Sequence, residues 1–377
     1  MIKRLGDICE FVGGGTPSKK NPEFYGGSIP WATVRDMNVR VIESTEHSIT
    51  PDAVQQSATN IIPKGEVVIS THVGLGKVCF LGQDTAINQD LKAVIPRKGL
   101  SRRYLYYWFV SKADELIANG KGATVKGVTL DFVKNLRIPV LPVREQERVS
   151  DALDKLTHII ELSDSQIDRL DSVVKSRFVE MFNGGKYDEC RVGEFCEVGS
   201  GKRVFAEEFK KQGVPFFRGT EIAALAKKEF SAPLYYITEE HYKELAAHTG
   251  IPKVGDLLLP SICEDGLVWR VDTDKPFYFK DGRVLWVKVP SSVDSEYLRF
   301  ALSDKLRTDY KRIASGTTFA EMKIINLRQV KIPLPPLSLQ REFAAFVAKV
   351  DKLAFAARRR RDVAKQLYRA KIQEYFG

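Results

Sequence analysis

The chain is poor in the residues that metal and thiol chemistry use. Its 377 residues include five histidines, His47, His72, His158, His241 and His248, and none has a partner at i, i+3 or i, i+4. A zinc site built from neighbours on one helix is therefore excluded, and no metal ligand is expected. His158 falls on a helical segment beside Ile159, where a half-buried spacer role suffices. The five cysteines, Cys9, Cys79, Cys190, Cys196 and Cys263, are odd in number and scattered, without the spacing of a zinc knuckle or a redox pair. They read as reduced structural thiols. No apolar run approaches the ~18 residues of a membrane span. The opening "MIKRLGDICEF" lacks the apolar core of a signal peptide. The expectation is a cytosolic chain with no membrane partner.

Catalytic motifs are missing as well. "FVGGG" (Phe11–Gly15) has the outline of a loop that holds S-adenosylmethionine. Such a loop needs a strand before it and a helix after it, and here Pro17 and Pro22 follow at once. The Asp/Asn-Pro-Pro-Tyr motif of amino-methyltransferases is absent, the one Pro-Pro being Pro335–Pro336. "GLGKV" (Gly74–Val78) contains Gly-Lys without the rest of a phosphate loop. "EMK" (Glu321–Lys323) matches the Glu-x-Lys of many nucleases. It has no acidic partner upstream on a strand, and a structural role is expected of it. No catalytic residue is assigned.

What is present is length, positive charge and a repeat. Hydrophobic content of 44% and charged content of 28% suit a globular protein, and the length suits two or three domains. Basic residues number 58 against 48 acidic, a net charge of +10. That favours a polyanionic partner, although it also fits a merely soluble protein. The phrase "IPVLPVREQERV" (Ile138–Val149) returns as "IPLPPLSLQREF" (Ile332–Phe343), 194 residues later. At that offset Gly122 and Thr124 match Gly316 and Thr318, and Glu180 and Phe182 match Glu374 and Phe376. Near the start of each half, "LGDICEFVGGG" resembles "VGEFCEVGSG". The chain is a tandem duplication of a globular head followed by a helix.

The helices carry a heptad pattern. In the first copy the apolar seam runs Val149, Leu153, Leu156, Ile160, Ile167, Leu170, Val174 and Met181, interrupted by Ser163 and Arg177. In the second it runs Phe343, Val347, Val350, Ala354, Ala357, Ala364, Tyr368 and Tyr375. Such periodicity predicts coiled-coil packing. Residues 145–182 carry nine acidic and five basic side chains, and residues 339–377 ten basic and four acidic, including the run Arg358–Arg361. Opposite charge favours pairing of the two helices. Two copies related by a pseudo-two-fold axis would pair them antiparallel, as a bar of roughly 57 Å, and the length of the seam favours helix-on-helix packing over each helix packing only on its own head. The expected organisation is a head at 1–140, a spacer helix at 141–184, a second head at 185–334 and a second spacer helix at 335–377. Both heads mix short strand-like runs with helical patches ("SRRYLYYWFVSKADELI", "SEYLRFALSDKLRTDYKRI"), an α+β architecture.

Cationic and amide side chains recur in the heads' loops. The first has Ser18, Lys19, Lys20, Arg35, Asn38, Arg40, His72, Lys77, Asn88 and Gln89. The second has Lys202, Arg203, Arg218, Arg270, Lys280 and Arg283. Lys and Arg neutralise phosphates, and Arg, Asn and Gln reach base edges with two hydrogen bonds. Each alone is ordinary surface chemistry. Two such heads on a fixed spacer suit a split DNA sequence.

Here the residues resemble a known family, the DNA-specificity subunit of type I restriction-modification enzymes. "GGGTPSKKNPEFYGGSIPWATVRDM" (Gly13–Met37) is similar to the opening of its target-recognition domain, with Thr16-Pro17-Ser18, Tyr25, Ile29-Pro30-Trp31 and Asp36. "AINQD" (Ala86–Asp90) and the doubled phrase are further likenesses, and together they cover nearly the whole chain. The second head departs from the pattern: Phe216 stands for Trp31 and Glu221 for Asp36, as different half-sites would require. The resemblance implies two target-recognition domains, two helices and no catalytic site. It also implies double-stranded DNA, two methyltransferase subunits and motor-nuclease subunits as partners, in the cytoplasm of a prokaryote. S-adenosylmethionine, magnesium and ATP would belong to those partners, in DNA methylation and defence against foreign DNA. The alternatives are a stand-alone DNA-modifying or DNA-cleaving enzyme, and a coiled-coil scaffold that binds protein only.

Overall fold

A computed structural model describes residues 1–122, 127–182, 185, 187–230, 232–314 and 321–377. Thr124, Gly316 and Thr318 of the repeat lie outside the described residues. The chain forms two units, one of residues 1–166 with 357–377 and the other of residues 167–356.

In the first unit, alternating and apolar strand runs build two sheets. The five-stranded sheet has the order Cys9–Gly13, Leu91–Pro96, Val67–Ser70, Val78–Leu81, Val41–Ile42, antiparallel except for the last pair. The four-stranded sheet has the order His47–Ile49, Tyr25–Ala32, Thr85–Ile87, Asn60–Ile62. A ribbon pairs Ile2–Arg4 with Arg137–Pro139, so the beginning and end of the head are held together. On the larger sheet lies the helix Arg102–Ser111, whose Tyr104, Leu105, Tyr107, Trp108 and Phe109 are buried.

The second unit repeats the plan with other side chains. A four-stranded antiparallel sheet orders Glu197–Ser200, Val284–Lys288, Leu257–Pro260 and Trp269–Arg270. A three-stranded sheet centres on Val214–Phe217, and the ribbon pairs Glu189–Arg191 with Lys331–Pro333. The long helix Ser295–Ile313 takes the place of the helical patch in the first head.

Two 40-residue helices, Val143–Phe182 and Leu337–Phe376, follow the heads. Each strand before them ends on proline, which supplies no ladder N–H. The glutamine of the doubled phrase then ties helix to head. Gln146, wholly buried, accepts from the Ser101 N–H at 2.8 Å and donates to the carbonyls of Gly99 at 2.9 Å and Leu141 at 2.8 Å. Gln340 does the same with the Asp294 N–H at 2.9 Å and the Pro335 carbonyl at 2.7 Å. Gln146→Ala would leave the Ser101 N–H and the Gly99 and Leu141 carbonyls without this buried partner. A loss of about 1–3 kcal/mol is expected, read as a lower midpoint in urea denaturation. An unchanged midpoint would show the glutamine to be dispensable.

The two long helices run antiparallel within each unit. In the first, Arg361 donates to Asp164 at 3.3 Å and Arg360 to Gln166 at 3.0 Å, the latter two being repeat equivalents. In the second, Arg177 donates to Glu342 at 3.1 Å. Of the heptad seam, Val149, Leu153, Ile167, Val174, Phe343, Val347, Val350, Ala354 and Ala357 are buried, and Leu156, Ile160, Leu170 and Tyr368 half-buried. Ser163, which breaks the pattern, is buried on the seam with its hydroxyl donating to the Ile159 carbonyl at 2.7 Å.

The two long helices pair as expected, and the seam also packs against the heads. Val149 and Leu153 share one core with Tyr104, Tyr107 and Phe376. Phe343 shares another with Phe178, Phe182 and Tyr297. Rings on the head's helix are large enough to fill the groove between the two long helices, so the pair is part of each head's core. Four cysteines sit in these cores and sheets, where burial pushes the thiols of Cys9, Cys79, Cys196 and Cys263 up to about 12. They stay protonated at neutral pH.

Candidate nucleic-acid interface

The first unit gathers several of the expected side chains around an open cleft of about 530 Å³, lined by Lys19, Arg35 and Asn88 together with Tyr25, Trp31, His47 and Asp90. Its walls are braced by the motif residues. The Tyr25 hydroxyl donates to the Pro17 carbonyl at 2.6 Å and the Trp31 indole to the Gly15 carbonyl at 3.2 Å. Thr16 donates to the side chain of Gln89. Asp36 closes the next turn, accepting from the Thr33 N–H at 2.7 Å and the Glu46 N–H at 2.8 Å. Lys19, Lys20 and Ser18 stay exposed on the loop between these anchors. Arg35 is exposed and pairs with Glu46 at 3.4 Å.

Other expected residues have different surroundings. Asn88 is buried and bonded to Asp90, its amide donating to that carboxylate at 3.2 Å, so it shapes the cleft floor. Lys77 donates to Asn38 at 2.7 Å and to the Val34 carbonyl at 3.3 Å, and this pair locks one loop to the next. His72 is exposed, 4.0 Å from Asp90. Arg40 does not line this cleft. It is half-buried among Phe80, Tyr106 and Tyr107 and bonded to Asp154 of the first long helix.

In the second unit Arg203, Lys280 and Arg283 line an open cleft of about 520 Å³ with Phe205 and Glu321. Lys202 is exposed next to it, its N–H donating to the Tyr278 hydroxyl at 2.7 Å. The Arg203 guanidinium lies 5.3 Å from the ring of Phe205, which is itself exposed. Arg218 and Arg270 are elsewhere. Arg218 forks onto Glu221 at 2.9 and 3.2 Å and stacks on Tyr235, while Arg270 donates to Ser295 at 2.7 Å. Burial pushes the Glu221 carboxyl up, but hydrogen bonds from Arg218 and Thr220 outweigh it and hold the group below the usual range.

Sequence reasoning passed over His47, Asp90, Phe205 and Glu321 as cleft residues. The exposed Phe beside Lys202-Arg203 was the available signal for the second cleft. Among the described residues no group of three His, Cys, Asp or Glu could hold a metal.

The profile of the type I restriction modification DNA specificity domain matches residues 1–171 and again 185–363. The chain belongs to this family. Among its relatives is the MjaIX specificity subunit of Methanocaldococcus jannaschii, a type I restriction enzyme subunit 28% identical over 92% of this chain and 85% of its own length. The EcoR124I/EcoR124II specificity subunit of Escherichia coli is 36% identical over 41% of this chain and 40% of its own. The fold matches a type I restriction-modification S subunit from M. genitalium with a TM-score of 0.64 and 14% identity, covering all of this chain and 96% of that one. A second solved chain of a type I R-M system gives a TM-score of 0.55 at 19% identity, covering 100% and 97%. As a type I specificity chain, the protein holds two copies of the domain, and each copy carries an open cleft edged by several of the expected cationic side chains. Among the described residues no helix is long and apolar enough to cross a membrane.

Proposed function

We propose that this chain is the DNA-specificity subunit of a type I restriction-modification complex and reads a bipartite duplex, one half-site per head. The observation that carries this reading is the repetition of the specificity domain, each copy with an open cleft edged by cationic side chains. Lysines and arginines at the cleft edges would hold phosphates, and the planar amide and guanidinium groups would read base edges.

In this reading the subunit does no chemistry itself. Two methyltransferase subunits dock on it and place S-adenosylmethionine for transfer to adenine N6. Motor-nuclease subunits add magnesium-dependent and ATP-dependent cleavage, in the cytoplasm of a prokaryote. The two long helices set the gap between half-sites.

The test is the salt dependence of duplex binding by the full chain with its methyltransferase subunits. A steep linear fall of log K with log salt is expected, with a slope near −0.9 per phosphate contact. Lys19→Ala should weaken binding to all sequences alike and lower the slope by about 1. A flat salt dependence would favour a scaffold that binds only protein, and turnover by the isolated chain with cofactor and DNA would favour a stand-alone enzyme.

A further inference from the structure

The Glu-x-Lys string at Glu321–Lys323 has no place in the reading above, yet its acid sits in the middle of the second cleft. Glu321 Oε1 accepts from the Ser261 hydroxyl at 2.8 Å and from Nη1 of Arg283 at 3.0 Å. Ser261 fixes both neighbours through its backbone. Its N–H donates to the Arg283 carbonyl at 2.9 Å, and its carbonyl accepts from the Met322 N–H at 2.7 Å. Ser261 itself is buried, directly after the strand Leu257–Pro260, which is part of the larger sheet. A serine on a rigid strand end thus sets a carboxylate, and the carboxylate sets an arginine.

A carboxylate is a poor neighbour for a phosphate, because it repels it and cancels part of the arginine's charge. It is a good neighbour for an arginine that must meet a flat, directional acceptor. The guanidinium is a planar fork with five N–H donors. With Nη1 given to Glu321, the Nε and Nη2 edge remains. Two donors side by side fit O6 and N7 of guanine in the major groove. The Arg283 side chain is 56% exposed, so a base can reach it. Holding the fork in advance lowers the rotamer entropy lost on binding.

We propose that Arg283, oriented by Glu321, reads one guanine in the half-site of the second head. Glu321 is a positioning residue and Ser261 its anchor. The inference rests on the DNA-specificity reading and names a base class within it.

The experiment is a binding selection from a library of randomised duplexes, using the full chain with its methyltransferase subunits. Wild type is expected to select two separated sequence blocks. Arg283→Ala should lose the preference for guanine at one position of one block, by roughly fivefold to 150-fold, and leave the other block unchanged. Glu321→Ala should relax the same position in part, and Glu321→Gln, which keeps an acceptor, should restore most of it. Replacing that guanine by 7-deazaguanine, which lacks N7, should weaken wild type and not Arg283→Ala. The proposal is overturned if Arg283→Ala keeps every guanine preference while affinity and salt slope fall for all sequences, since that is the behaviour of a phosphate contact. Selection of no sequence by wild type would instead overturn the specificity reading itself.

Discussion

Asp154→Ala is expected to destabilise the first unit by about 2–4 kcal/mol, the cost of uncovering a partly buried charge network. Asp154 takes hydrogen bonds from Tyr107 at 2.6 Å, from Arg103 at 2.7 Å and from Arg40. Its side chain is 25% exposed and that of Arg40 26%. Without the carboxylate, the Arg40 guanidinium would remain against Phe80, Tyr106 and Tyr107 with no counter-charge. Burial alone would raise the Asp154 carboxyl, but the bonds from Tyr107, Arg103 and Arg40 outweigh it and hold the group below its ordinary 3.8. A carboxyl depressed in the folded state contributes stability above its unfolded value, and that contribution is lost as pH falls through the folded value. The difference between wild type and Asp154→Asn should therefore be constant at neutral pH and shrink below about pH 4. Urea denaturation at a series of pH values measures it. A pH-independent difference would show that the pair contributes shape rather than charge.

Phe343→Ala should cost the second unit about 3–5 kcal/mol, the range for truncating a fully buried aromatic residue. Phe343 is fully buried, at the start of the second long helix. Its ring lies 5.4 Å from Phe178, 5.5 Å from Phe182 and 5.2 Å from Phe300, edge to face in each case. Those rings come from the first long helix and the head's own helix, and no one of them can collapse into the gap without leaving another. Phe343→Leu should cost clearly less, because it keeps most of the volume. Thermal denaturation separates the two variants, and equal losses would contradict the packing described.

The repeat, the long helices and the strand runs were legible because each rests on local spacing. Seam burial from Val149 to Ala357 follows the heptad, and the doubled glutamines mark the joints. The candidate site was less legible, because charge is local and partnership is not. Arg40 carries the same symbol as Arg35, yet its partner Asp154 is 114 residues away in sequence. Arg218 was removed from the cleft by Glu221, three residues on, which the sequence also shows; only the fold says that the two are bonded. Glu321 has no acidic partner upstream in the sequence to give it a catalytic reading, and its meaning depends on Ser261 and Arg283, which reach it from two other segments. Asp36 and Trp31, which carry the family likeness, brace loops.

The central claim is that each head reads its own half-site. Mapping the methylated adenines in the host genome tests it most directly, compared with a strain in which the second head, residues 187–330, is replaced by that of a relative. The account predicts a bipartite motif in which one half changes, and the other half and the gap stay as they were. A motif that changes in both halves, or a continuous one with no gap, would contradict it.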